Sequence, residues 1–251
     1  MDKTKITRLG HGGKRHPTRS NASTWFLILA AGPAALFGAL TAYVSISNAN
    51  LPKPPAPPEQ LVFRDGEDHP VTREMAKVAK EMGGAKAAPF QAVDLNGANV
   101  SLASLTKGKP LVLFFVELQC PCCKGAKPYI DRIQDYYHDA CNVVGVIDAS
   151  PKMAKLWSEA VRPEFPIIPD PKMDIIRAFQ AQRGVYTTLV SPGGRIVKAY
   201  PGYSQDMLRD ITDKIERLSG IAHRPMPVLP APKTMTSGCI FPGTKLPDDQ
   251  I

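Results

Sequence analysis

The sequence predicts an α/β domain organised around one strand buried on both faces, with a cysteine-bearing helix at its carboxyl end. Three observations predict it. Leu111–Val116 (LVLFFV) is an unbroken apolar run behind Gly108-Lys109-Pro110, the pattern of a strand at the centre of a sheet. Cys120, Cys122 and Cys123 follow it directly, and an amphipathic helical pattern begins there. A second core strand, residues 142–148 (NVVGVID), comes after that helix, and strand–helix–strand calls for a parallel pairing.

Ahead of that domain the chain carries its charge unevenly. The protein has 251 residues, 43% of them hydrophobic, enough for a real core and too many for a disordered chain. The formal charge of +8 would suggest nucleic acid if it were spread over the fold. Residues 1–22 hold Lys3, Lys5, Arg8, Lys14, Arg15 and Arg19 against Asp2, so +5 of the +8 sits in this tail and +3 remains for the rest. No nucleic-acid partner is expected. Residues 23–47 then read as a transmembrane helix: Trp25 and Tyr43 bracket an uncharged apolar stretch roughly 27 Å long as a helix, close to bilayer thickness. A cleaved signal peptide ending near Ser47-Asn48-Ala49 is the alternative, but the stretch exceeds the usual apolar core of such a signal. The expectation is a single-pass protein of a bacterial-type inner (plasma) membrane, N-terminus cytoplasmic and the remaining domain extracytoplasmic.

Residues 48–60 are a Pro-rich linker, with five prolines between Pro52 and Pro58 that favour an extended spacer. Residues 61–87 are a helical lead-in, where Val71, Met75, Val78 and Met82 recur at 4-3-4 spacing before Gly83-Gly84. The α/β domain is expected over residues 88–220. It opens with a strand or hairpin near residues 90–102. Behind the cysteines, Ala126, Tyr129, Ile130, Ile133 and Tyr137 form one apolar helical face. Helices are expected at residues 152–160 and 173–180, and a hairpin at residues 186–200 around the turn Ser191-Pro192-Gly193-Gly194. A last helix runs from its cap Ser204 to Gly220. Residues 221–251 are a Pro-rich C-terminal tail, expected to lack regular structure, yet containing Cys239 in the string Thr236-Ser237-Gly238-Cys239-Ile240-Phe241.

The spacing of the cysteines points to redox chemistry. With Cys120 as N-cap, Pro121 occupies the first helical position, where its missing N–H costs nothing. Cys120 and Cys123 then lie on neighbouring turns, close enough to bridge after local adjustment, whereas Cys122 points about 100° away from Cys123. The helix N-terminus and Lys124 favour an anion there, and the thiolate is the nucleophile of disulfide exchange. Cys120, at the end of the helix, is expected to be the exposed thiol with Cys123 shielded behind it. Pro128 is expected to kink the helix just beyond.

Cys-x-x-Cys after an apolar strand, followed by Lys124 and by Pro128, resembles the active site of the thioredoxin-like superfamily, in particular its TlpA-type and redoxin (alkyl hydroperoxide reductase/thiol-specific antioxidant) branches. The likeness spans roughly residues 88–220. It implies a thioredoxin-like fold with a central mixed sheet flanked by helices, and a thiol-disulfide oxidoreductase in which Cys120 attacks and Cys123 resolves. The family usually carries a cis-proline opposite the cysteines; here Gly184-Val185-Tyr186-Thr187 has Tyr186 in its place. Gln119 stands where thioredoxin itself has Trp.

Two other functions stay open. A redoxin-type thiol peroxidase would act through a sulfenic acid, but peroxiredoxins resemble Pro-x-x-x-Thr/Ser-x-x-Cys, and Val116 and Cys120 occupy the signature positions before Cys123. A Cu(I)- or Zn(II)-binding protein would use the soft thiolates of Cys120, Cys122 and Cys123, although no histidine precedes the hairpin as in Sco-type copper proteins. The expected partners are a protein dithiol or disulfide, or a peroxide, and the membrane through one helix. No cofactor or resident metal is expected. Cys122, Cys239, Glu117, Tyr186 and Arg183 are auxiliary candidates: Glu117 as a proton relay, Arg183 and Tyr186 as residues facing the thiols, and Cys239 as a thiol the tail carries back to them. Cys141 reads as a buried structural cysteine.

Overall fold

A computed structural model describes residues 61–64 and 69–244. The expected membrane helix at 23–47, the basic tail before it and the linker after it lie outside the described residues. Among the described residues no helix is long and apolar enough to cross a membrane. They belong to one compact unit, Glu59–Ile251.

In chain order the elements begin with β1 (His69–Pro70) and α1 (Arg73–Glu81). The Thr72 hydroxyl accepts from the Met75 amide at 3.2 Å and caps α1. A hairpin of β2 (Gln91–Val93) and β3 (Asn99–Ser101) follows, then α2 (Leu102–Leu105) and the central strand β4 (Leu111–Val116). The cysteine helix α3 (Pro121–Tyr137) leads into β5 (Asn142–Ile147), α4 (Pro151–Val161) and the short β6 (Ile167–Pro169). After α5 (Asp174–Ala178) come the antiparallel β7 (Thr187–Val190) and β8 (Ile196–Tyr200), α6 (Gln205–Ser219) and β9 (Thr236–Ser237).

The main sheet has the order β6-β5-β4-β7-β8, with β4, β5 and β6 parallel and β7 antiparallel to β4. Strand β4 is buried over all six residues, and its alternation divides two cores. Val112, Phe114 and Val116 face one cluster with Ile130, Ile133 and Trp157; Leu111, Leu113 and Phe115 face the other with Ile176, Phe179 and Tyr186. The α3 face expected from the sequence, Ala126 to Tyr137, is buried in the first cluster. Pro128 sits inside α3, which runs unbroken past it. Ser204 caps α6 through the Met207 amide, and Gly220 ends it at φ +66°, a conformation that favours glycine.

Two findings depart from the sequence reading. Strand β6 has no counterpart in it, because a three-residue strand that follows Pro166 and ends in Pro169 shows no period. The C-terminal segment is also ordered against the domain rather than free of regular structure. Strand β9 pairs with β1, setting His69 opposite Ser237 and Pro70 opposite Thr236. Thr236 also exchanges two backbone hydrogen bonds with Tyr203, of 2.9 and 3.0 Å. Prolines exclude a helix but not an extended edge, and Met226, Ala231, Cys239 and Phe241 anchor the segment in the cores.

Candidate active site

Strand β4 delivers the chain to the carboxyl edge of the sheet, where a tight turn over Glu117-Leu118-Gln119 sets Cys120 at the N-cap of α3. The Cys120 amide donates to the Glu117 carbonyl at 3.1 Å, and the Cys120 Sγ accepts from the Cys123 amide at 3.4 Å. Pro121 occupies the first turn, where no donor is lost. The expected pair is therefore one helical turn apart, and none of the five cysteines is in a disulfide.

Burial corrects one expectation. Cys120 is 0% exposed, no more open than Cys123. The cause is the C-terminal segment, which lies across the N-terminus of α3. The Cys239 amide donates to Cys120 Sγ at 3.2 Å. Gly184 donates to the Cys239 carbonyl at 2.8 Å, and Gly238 donates back to the Gly184 carbonyl at 3.0 Å. Phe241 donates to the Gln182 carbonyl at 3.1 Å, and Arg183 bridges antiparallel to Ile240. The segment thus runs antiparallel to the loop ahead of β7, joined to it by these hydrogen bonds and the single bridge. Val185 in that loop holds φ +66°, uncommon for a β-branched residue and worth about 1–3 kcal/mol of backbone strain. It is fixed there by the hydrogen bond its amide donates to the Phe115 carbonyl at 2.9 Å.

The two thiols of the pair are driven apart in acidity. Hydrogen bonds from the Cys122 and Cys123 thiols, then from the Cys239 and Cys123 amides, hold Cys120 far below the ordinary thiol range despite its burial. Burial and the Cys120 charge push Cys123 well above that range. The surroundings thus favour the thiolate at Cys120 and the protonated thiol at Cys123.

Glu117 is raised to about 7, first by burial and then by Asp148, while Arg64 pulls it down. Arg64 Nη2 donates to Glu117 Oε1 at 2.8 Å; Oε2 is buried without a partner among the described residues. Asp148 is raised to about 6, mainly by burial, and accepts from the Leu118 amide at 2.7 Å. Glu117 is thus poised to exchange a proton near neutrality beside the thiols.

The structure brings Cys120, Cys122, Cys123, Glu117 and Cys239 together, and Arg183 lies beside them with Nη1 3.4 Å from the Gly238 carbonyl. Tyr186 does not join them. Its side chain falls on the opposite face of the sheet, 6.1 Å from the Phe115 ring, because Val185 takes the face toward the cysteines. Cys141 is buried, its thiol turned to the Asn142 carbonyl and pushed up to about 12 by burial, as a structural cysteine should be. At this site the metal-ligating atoms that converge within 4.8 Å are those of Glu117, Cys120 and Cys239, rather than the three thiols of the helix; a separate group is Asp213, Glu216 and His223. The sequence reading passed over Arg64, Asp148 and His69, whose Nε2 is 4.0 Å from Cys239 Sγ. Asp148 had a signal, standing just past the carboxyl end of a core strand beside β4; Arg64 and His69 belong to no pattern.

Residues 84–199 match the AhpC/TSA family. A Mycobacterium tuberculosis protein carrying a peroxiredoxin name is 31% identical over 108 residues, 43% of this chain and 69% of that protein. The chain belongs to the AhpC/TSA family. As an AhpC/TSA protein it is an oxidoreductase. The thiol-disulfide oxidoreductase ResA of Bacillus subtilis is 26% identical over 136 residues, 53% of this chain and 75% of ResA. A Chlorobium tepidum crystal structure described as the thiol:disulfide interchange protein DsbE superposes with a TM-score of 0.51 at 24% identity, covering 55% of this chain and 98% of that one. That likeness shows that this AhpC/TSA chain has the thioredoxin-like fold.

Proposed function

We propose that this protein is a membrane-anchored thiol-disulfide oxidoreductase working outside the cytoplasm through the Cys-Pro-Cys-Cys stretch at residues 120–123. The observation that carries this reading is the split between Cys120, a thiolate with several donors aimed at it, and Cys123, a protonated thiol one turn behind. Exchange needs that division. The Cys120 thiolate attacks a partner disulfide, forming a mixed disulfide and releasing one partner sulfur as thiolate, which is then protonated. Cys123 gives its proton to a nearby base, for which Glu117 is suited, and attacks Cys120 Sγ. The Cys120–Cys123 bond forms, and the second partner sulfur leaves with the electron pair.

Peroxidase chemistry is less well served. At the place of the Thr or Ser that precedes a peroxidatic cysteine by three residues stands Cys120, itself ionised, and Cys123 is kept as thiol. The deciding assay is reduction of insulin disulfides with dithiothreitol as electron source, run beside peroxide consumption. Cys120→Ser should lower disulfide turnover about a hundredfold or more, because it removes the only thiol of the pair held as thiolate. Cys123→Ser should stall as a mixed disulfide on Cys120. Peroxide turnover that survives Cys120→Ser would sink the reading in favour of a redoxin-type peroxidase.

The membrane and topology part rests on the sequence alone, on the apolar stretch between Trp25 and Tyr43 and the basic residues before it. Protease added to intact spheroplasts should digest the domain. Protection until the membrane is lysed would place it on the other side.

A further inference from the structure

Cys239 lies outside the Cys-x-x-Cys pair and takes no part in the exchange just described. Its sulfur is nevertheless within 4.8 Å of both Cys120 Sγ and a Glu117 carboxylate oxygen, and its amide points at Cys120 Sγ from 3.2 Å. The residues around it are seated as a bound peptide would be. Gly238 and Cys239 exchange a reciprocal pair of backbone hydrogen bonds with Gly184, and a Cβ at 238 would lie 2.6 Å from the Gly184 carbonyl carbon and oxygen, so glycine is required for the approach. Phe241 is 1% exposed and fixes the far end in the core beneath the sheet, while Thr236 and Ser237 fix the near end against β1. Cys239 is therefore held against Cys120 from both sides.

We propose that Cys239 is a third redox centre, a tethered thiol that takes the disulfide from the Cys120–Cys123 pair and thereby locks the C-terminal segment over the active site. This rests on the exchange role of Cys120 and Cys123. In the transfer, the Cys239 thiol passes its proton to the Glu117 carboxylate and its thiolate attacks Cys120 Sγ. The Cys120–Cys239 bond forms, the Cys120–Cys123 bond breaks, and Cys123 leaves with the electron pair and takes the proton from Glu117. One thiol and one disulfide stand on each side, so no oxidant is consumed. The oxidising equivalents enter earlier, from a partner disulfide. Before the lock forms, the segment behaves as an internal substrate, and a partner's extended cysteine-bearing segment has to displace it.

The test uses the full chain in glutathione buffers of graded oxidation, acid-quenched, alkylated and mapped under non-reducing conditions. In Cys123→Ala, which retains the packing of α3, a peptide bridging 120 and 239 should account for most of the oxidised protein. In the wild type the same bridge should appear beside the 120–123 bridge, in a ratio independent of the buffer because both forms carry the same number of electrons. Cys239→Ser should lose it completely. The proposal is overturned if Cys123→Ala yields only glutathione or intermolecular disulfides on Cys120 with Cys239 still alkylated, and the wild type only the 120–123 bridge. Protein retaining zinc on Cys120 and Cys239, with neither bridge formed, overturns it as well. The insulin assay of the wild type separates the two readings: turnover without a 120–239 bridge refutes the third centre alone, and a bridge without turnover refutes the exchange reaction alone.

Discussion

Gly238→Ala should uncover Cys120. An added methyl would meet the Gly184 carbonyl carbon and oxygen at 2.6 Å and its Cα at 3.0 Å, all backbone atoms of a loop fixed to β4 through Val185 and Phe115. Neither side has a flexible end that can give way, so the two segments must part. Cys120 then loses both its cover and the Cys239 amide donor. Iodoacetamide labelling of Cys120 in the reduced protein should accelerate about tenfold or more, the factor that corresponds to about 1.4 kcal/mol of lost closure. The thermal midpoint should fall modestly, since the main sheet is untouched but Cys239 and Phe241 lose part of their seat in the two cores. Labelling at the wild-type rate would mean that the segment does not govern access.

Gly184→Ala should damage the pair from the opposite direction. Its Cβ would fall 2.6 Å from Cys123 Sγ and 3.3 Å from the Glu117 Cβ and amide nitrogen. Cys123 is fully buried with one rotatable bond, so its sulfur can escape only by displacing packed neighbours. Denaturant unfolding of the reduced protein should show a loss of about 1–3 kcal/mol, the usual cost of forcing atoms into a filled core. In a Cys123→Ala background most of that loss should vanish, because the sulfur that clashes is gone. An equal loss in both backgrounds would show that loop geometry, and not contact with Cys123, fixes Gly184.

Most of what positions the pair was legible in the sequence. The run Leu111–Val116 could only be a strand covered on both faces, and Cys120-Pro121 carried the signal of a helix start. Alternation and capping are local, so they survive in a single sequence. The cover over Cys120 was not legible in the same way. It depends on three irregular segments meeting: the stretch around Arg64, the loop at Gly184–Val185, and the stretch at Cys239. None has a period, and their contacts span 53 residues from Arg64 to Glu117 and 119 from Cys120 to Cys239. Counting a helix N-cap as exposed neglected what a distant segment can lay across it. Tyr186 was misplaced for a related reason. Its position in the chain matched a residue beside the thiols, but the side-chain face is set by the left-handed turn at Val185, which no composition rule announces.

The reciprocal hydrogen bonds between Gly184 and the 238–239 stretch also set a threshold for partners. A segment joined to the same chain competes at a concentration fixed by its tether, not by the surroundings. An incoming polypeptide binds only the fraction of molecules in which the site stands open, and its apparent affinity falls by that fraction. If the segment is closed 99 times in 100, binding weakens about a hundredfold. Casual encounters with cysteine-bearing chains are then discouraged, and the enzyme favours a partner with contacts beyond the thiols themselves.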